Sequence, residues 1–507
     1  MALSVVYTRA NIGVDAPLIE VEVHLGRGLP GFHLVGLPET TVKESKDRVR
    51  SAIINSGFEF PAQRITVNLA PADLPKGGGR YDLAIAIGIL VASEQIPVKS
   101  LDEFEFVGEL ALSGDLRTVS GVMPIAVSAK QSQRALILPA VNAEEASMIK
   151  EAKIFGACSL WQVYLHLTEK QTIEQTKYLL PETSKAFGYE ENELADVKHQ
   201  EVAKRALIVA AAGGHNLLMY GPPGTGKSML AHRMVDLLPT LNEQEAVDVA
   251  CIYSITGASR KDTNWFKKPF RQPHHSSSAS AIVGGGANPT PGEITLAHNG
   301  VLFLDELPEF GRHVLDVLRE PLETGEIHLS RARHKVCYPA KFQLVAALNP
   351  SPTGDIDDGR SNHDQILKYL SKVSGPLLDR IDIQVHVPKV RIQNDLDNSK
   401  RKGMTSKDAV SITSAAVEIQ VNRQGCLNAQ LSGKMMEKHC HLNDNVKAFL
   451  SLAIEKLSLS MRAYHRILRV ARTIADLDGA LEIEQRHLAE AIQFRSFDRL
   501  LHQLSVT

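Results

Sequence analysis

The sequence predicts an α/β protein built around a parallel sheet that carries a phosphate-binding loop, with an all-α domain at its C-terminal end. Three observations lead there. Residues 221–228 read Gly-Pro-Pro-Gly-Thr-Gly-Lys-Ser, behind the apolar run 216–220 and ahead of a helical pattern that opens at Met229. A second apolar run, Val301-Leu302-Phe303-Leu304, ends in Asp305 and Glu306. From 409 to 504 the pattern is helical, with a polar break at Asn443-Asp444-Asn445.

At 507 residues the chain is too long for a single core and should hold about three domains. Its 44% hydrophobic and 22% charged residues fit a soluble globular protein. No apolar run approaches the roughly 18 residues of a membrane span, and residues 1–9 lack a signal peptide's charged start, so no membrane and a cytoplasmic location are expected. Cys158, Cys251, Cys337, Cys426 and Cys440 never form a C-x-x-C pair and suggest neither a disulfide framework nor a zinc site. A net charge of −2 selects no partner: a nucleic-acid binder this neutral must gather its Lys and Arg locally.

The domains follow from composition. Residues 1–170 form an N-terminal domain, and the polar stretch 171–193, broken by Pro181 and Gly188, reads as a linker. Residues 194–395 form the nucleotide module. Another polar stretch near 394–408 leads into the helical domain, 405–507.

The chemistry begins at the loop. Gly221, Pro222, Pro223, Gly224, Thr225, Gly226, Lys227 and Ser228 fit a phosphate cradle, because glycines let backbone N–H groups turn inward around phosphates. Lys227 then reaches the β- and γ-phosphates and Ser228 ligates Mg²⁺, so ATP and Mg²⁺ are the expected cofactors. Asp305 at the end of its strand would hold the same metal, and Glu306 would polarise the attacking water. A third apolar run, 342–348, ends in Asn349, whose amide could orient that water.

These residues resemble the AAA+ ATPases, in the branch that contains magnesium-chelatase ATPase subunits, MCM helicases and ComM competence proteins. The resemblance implies an AAA+ core with a helical lid. Asn349 matches sensor 1, and Gly375-Pro376-Leu377-Leu378-Asp379-Arg380-Ile381-Asp382 matches the segment that supplies an arginine finger, so Arg380 would act on a neighbouring subunit's nucleotide. A site completed in that way implies a homo-oligomeric ring, a hexamer. Ser460-Met461-Arg462 resembles sensor 2, with Arg472 as the other candidate. Asp196-Val197-Lys198-His199-Gln200 resembles the segment beside adenine, although the family more often has Gly where His199 stands.

Between the two nucleotide motifs, composition alone gives a flexible insertion of two loops holding His274-His275, Gly284-Gly285-Gly286 and residues 291–298. The histidine pair invites a metal reading, but adjacent side chains diverge on a helix or strand, and a packed or pore-facing loop is expected. The stretch resembles the ComM-type insertion that faces a ring's channel. Residues 326–339 can fold as a hairpin with a basic centre, where Arg331, Arg333 and Lys335 would follow a DNA backbone. It resembles the pre-sensor 1 hairpin of MCM-like proteins. Ser351-Pro352-Thr353-Gly354 stands where some relatives carry Cys-Pro-Cys-Gly, which leaves no zinc there.

In the first domain, residues 74–87 and 108–117 resemble the Lon protease domain. The fold expected is therefore an α+β Lon-protease-like domain preceding an AAA+ P-loop ATPase core with a C-terminal helical lid. A Ser–Lys dyad needs a hydroxyl beside an amine. The serine position falls on Arg80, or on Asp82 with a gap, and the lysine position on Met123, so the domain should be proteolytically inactive. The whole resemblance implies an ATP-driven helicase or translocase for single-stranded or branched DNA. Its role would be branch migration during homologous recombination of incoming DNA in natural transformation, with recombination proteins as further partners. A magnesium-chelatase motor subunit is the alternative, and an ATP-dependent protease a third.

Overall fold

The computed structural model describes residues 3–36, 44–97, 101–178, 193–258, 265–286, 289–330, 335–356, 360–389, 404–457 and 459–506. Most of the 171–193 linker and part of the polar stretch near 394–408 lie outside these residues.

In the N-terminal part, strand Leu18–Gly26 pairs antiparallel with Leu3–Arg9 on one side and Arg64–Ala70 on the other. Its period-two pattern explains the face it buries: Ile19, Val21, Val23 and Leu25 point inward while Glu20 and His24 meet solvent. Parallel strands Phe104–Phe106, Ala135–Pro139 and Ile154–Ala157 extend the sheet beyond Leu3–Arg9, and Gly31–Val35 closes its other edge. Beyond Asp82, helix Asp82–Ala92 is apolar all round, and every residue in it is buried. A Cβ at Gly88 would stand 2.6 Å from Val23 Cγ2, so the helix lies directly on the sheet.

The central sheet has five strands in the spatial order Phe270–Arg271, Val301–Leu304, Gln343–Leu348, Leu217–Tyr220 and Ile383–His386, all parallel. Val301–Leu304, Gln343–Leu348 and Leu217–Tyr220 are buried throughout, as a sheet covered on both faces requires. The strand expected to begin at Asn216 begins at Leu217 instead. Asn216 spends its side chain outside the ladder, donating to Arg380 O at 2.9 Å and accepting from Leu344 N at 2.8 Å.

Helices Ser406–Gln424, Asp444–Lys456, Met461–Leu477 and Gln485–Gln493 form the C-terminal domain. The last helix, Ser496–Val506, leaves them and returns to the sheet: Phe497 and Leu504 join the apolar cluster around Leu377 and Ile381, and Arg495 donates to Ile381 O at 2.7 Å. A second tie runs through buried Asp382, which accepts from Arg466 at 2.6 Å and from Asn216 N at 3.1 Å. Burial works against this carboxylate, but nearby His215, its Nδ1 3.7 Å away, and the charges of Arg466 and Arg469 outweigh it and hold its pKa well below the usual range. Its folded pKa being depressed, Asp382 contributes stability above the unfolded value of about 3.9 and loses it as pH falls further. Asp382→Ala is expected to cost about 3–5 kcal/mol, read from the urea midpoint, because Arg466 loses its buried partner.

Two regions differ from the composition-based expectation. The insertion is tied down rather than loose: Ser278 caps helix Ala279–Val283, Gly284–Gly285 pairs with Thr290–Pro291, and Arg271 holds Glu293 through two bonds of 2.6 and 2.7 Å. Ser278, which composition reads as part of a flexible loop, is spent on capping, and Ser276 bonds His274. The N-terminal part is also joined to this region. Met123, Ile125 and Ala126 pack into one apolar cluster with Val249, Ala250 and Trp265, while Gly121 N donates to Ser254 O at 2.8 Å.

Candidate nucleotide site

Strands Leu217–Tyr220 and Val301–Leu304 both pair with Gln343–Leu348, so their C-terminal ends emerge side by side. The phosphate loop, Asp305-Glu306 and Asn349 leave those ends and border a cleft of about 370 Å³. Gly224 and Gly226 sit at φ +74° and +85°, where a side chain would be strained, and this turns the loop backbone inward. Helix Lys227–Leu237 starts at that point and directs its N-terminal dipole into the cleft.

Lys227 is buried, and its ammonium donates to Gly221 O at 2.7 Å, Pro222 O at 2.8 Å and Asn349 Oδ1 at 3.1 Å. Burial draws its pKa below the ordinary value, opposed by Asp305 and Glu306. Ser228 Oγ donates to Asp305 Oδ2 at 2.6 Å, so a hydroxyl and a carboxylate, the hard oxygen donors Mg²⁺ takes, stand together.

Glu306 has φ +52° and ψ +49°, a left-handed conformation uncommon for a residue with a side chain. Its carboxylate lies 3.2 Å from His275 Nδ1. The sequence reading missed this contact because thirty-odd residues separate the two and only the adjacent pairing of Phe270–Arg271 with Val301–Leu304 brings them together. The expected divergence of the histidine pair also fails. His274 and His275 lie in an irregular bend, and their ring centroids are 4.2 Å apart.

Arg380 and Arg462 border a different cleft, with Glu323, Asp379 and Arg466, and neither lines the phosphate cleft of its own chain. Arg380 is held by Glu323 and by Pro376 O, the latter at 2.6 Å. Ser460 caps helix Met461–Leu477 and leaves Arg462 exposed in its first turn, 3.8 Å from Asp379. Arg472 faces the helical core, bonded to Ala480 O, Leu481 O and Asp476. Of the two candidates, Arg462 alone reaches the surface. Beside the phosphate loop, His199 has φ +59°, a conformation that favours Gly, and Gln200 donates to Thr225 O of the loop at 2.7 Å.

Residues 193–395 match the protein family described as "Magnesium chelatase, subunit ChlI", residues 21–142 "Subunit ChlI of Mg-chelatase", and residues 403–495 "Magnesium chelatase, subunit ChlI C-terminal". Competence protein ComM of Haemophilus influenzae is 52% identical over 508 residues, covering 100% of both chains. The chain belongs to the ComM-type, magnesium-chelatase-like AAA+ ATPases. Protein YifB of Escherichia coli K12 is 51% identical over 99% of each chain. The magnesium-chelatase 38 kDa subunit of Cereibacter sphaeroides is 25% identical over 57% of this chain and 86% of its own.

Two further sets of expected residues have their places in this ComM-type chain. Lys335 is exposed at the start of strand Lys335–Pro339, which pairs antiparallel with Glu326–Ser330, whereas Arg331 and Arg333 lie outside the described residues. In the N-terminal part, Asp82 is fully buried and bonded to Arg48 at 2.7 Å. Met123 is buried in the joint with helix Glu243–Ile255. No hydroxyl–amine pair can form from Arg80, Asp82 and Met123. Among the described residues no helix is long and apolar enough to cross a membrane.

Proposed function

We propose that this chain hydrolyses ATP as a hexameric ring and uses the energy to move branched DNA, promoting branch migration when incoming DNA recombines during natural transformation. The observation that carries the ring is the separation of Arg380 and Arg462 from the phosphate cleft of their own chain. Two cations that do not reach their own chain's phosphate cleft support the reading that they serve a neighbour's site. The competence name of the relative matched end to end supports the DNA outlet.

In this reading Lys227 exchanges its loop carbonyls for phosphate oxygens, and the loop N–H groups bind the rest of the triphosphate. Ser228 and Asp305 would hold Mg²⁺, which neutralises charge on the phosphates when bound. Glu306 takes a proton from the attacking water, His275 fixes the carboxylate that does so, and Asn349 orients the water. Arg380 enters from the adjoining subunit. The N-terminal part acts as an inactive Lon-like domain for assembly or for guiding DNA.

The deciding experiment mixes purified protein, ATP and a labelled four-strand junction. ATP-dependent conversion to products, absent with Lys227→Ala, is expected; vigorous hydrolysis with an intact junction removes the DNA reading. The other reading, a magnesium-chelatase motor subunit, would instead show turnover that requires a porphyrin-binding partner.

Two smaller effects are expected. His275→Ala should lower kcat about fivefold, the equivalent of one orienting hydrogen bond near 1 kcal/mol, with nucleotide affinity unchanged. Steady-state turnover beside nucleotide titration checks it. Replacing Arg331, Arg333 and Lys335 by Ala should reduce the log–log salt slope of DNA binding by about 2–3. An unaltered slope in fluorescence anisotropy places the contact elsewhere.

A further inference from the structure

Strands Glu326–Ser330 and Lys335–Pro339 gather three kinds of metal ligand that linear spacing conceals. Their register sets His328 directly opposite Cys337, and Glu326, two residues before His328, shares the same face. Alternation along Lys335–Pro339 buries Val336 and Tyr338 and turns Cys337 outward. Cys337 Sγ lies 3.4 Å from Glu326 Oε2, and His328 Nε2 lies 3.7 Å from the same oxygen. The three ligand atoms are all within 4.8 Å of one another, the one such group of three among the described residues.

A tetrahedral ion with bonds of about 2.0–2.3 Å holds its ligands roughly 3.3–3.8 Å apart, so the Cys337–Glu326 and His328–Glu326 separations already have the length of a coordination edge. We propose that Glu326, His328 and Cys337 bind a zinc-class divalent cation, with the fourth position open to solvent. A thiolate and an imidazole select such an ion over Mg²⁺, which separates this site chemically from the oxygen donors Ser228 and Asp305.

The surroundings favour a cation. Cys337 donates to the Glu326 carboxylate, and Asp15 and Glu320 add negative charge around it. An arriving M²⁺ takes the sulfur electron pair as the proton leaves to solvent, which balances the exchange. All three side chains are exposed, and the ion needs no opening of the fold to reach them. Once bound, it joins both strands of the hairpin that bears Lys335. The site stands on register and distance and does not depend on what the hairpin contacts.

The test titrates the metal-stripped full chain with Co²⁺ in the absence of nucleotide and follows thiolate-to-cobalt absorption. The expected result is a band that saturates at equimolar Co²⁺, disappears on adding Zn²⁺, and is lost in Cys337→Ser. His328→Ala should weaken apparent Co²⁺ affinity about tenfold or more. Cys337→Ala, checked by circular dichroism, replaces Cys337→Ser if that variant does not fold. Absence of the band in the unmodified chain overturns the proposal, as does its survival in the Cys337 variant or an unchanged affinity in His328→Ala.

Discussion

Glu306→Gln is expected to lower ATP turnover about 10²–10⁴-fold, the range of a lost general base, while nucleotide binding persists. The substitution is a clean probe. Gln is no more strained than Glu at φ +52°, and its amide can still meet His275, so the loop geometry should survive. Lys227, Ser228 and Asp305 make their contacts without Glu306, so the bound nucleotide keeps its holders. A filter-binding assay beside phosphate release separates the two quantities. Near-normal phosphate release would remove Glu306 from the reaction.

Arg380→Ala is expected to reduce turnover about 10³–10⁵-fold, as loss of an arginine finger does in GTPases, without dismantling the subunit. Arg380 is mostly buried, but its partner Glu323 is largely exposed, so the truncation leaves no buried unpaired charge behind. The diagnostic step is mixing. Lys227→Ala subunits cannot hold nucleotide but still present Arg380, and Arg380→Ala subunits hold nucleotide without the finger. A mixture that hydrolyses faster than either preparation shows that the finger works between subunits; an inactive mixture places Arg380 in its own chain's chemistry.

The extent to which the sequence announced this site follows from how local its parts are. The phosphate loop is contiguous, and its glycines, lysine and serine do their work within two turns of chain. Asp305 and Asn349 were legible because each ends an apolar run, where a parallel sheet places polar groups at its open edge. His275 was not, since its meeting with Glu306 depends on which strands become neighbours. The shared cleft of Arg380 and Arg462 depends on packing between a helix and the core from distant segments. Glu326, His328 and Cys337 meet only through a pairing register, which no count of residues along the chain reveals. In the N-terminal part the replacement of the dyad positions by Arg80 and Met123 was readable, but not that Met123 would seal a joint to the next module.

The return of helix Ser496–Val506 to the central sheet bears on how motion leaves the subunit. A lid fastened at one end can swing and dissipate the strain of each nucleotide exchange within its own chain. Here the helices from 406 to 493 are fastened at Asp382 through Arg466 and again beyond them by Arg495 and Phe497. Held to the sheet both within helix Met461–Leu477 and beyond the last of them, the helices would follow a reorientation of the sheet as a stiff lever. In the proposed ring, the stroke would then be delivered at the contact with the adjoining subunit.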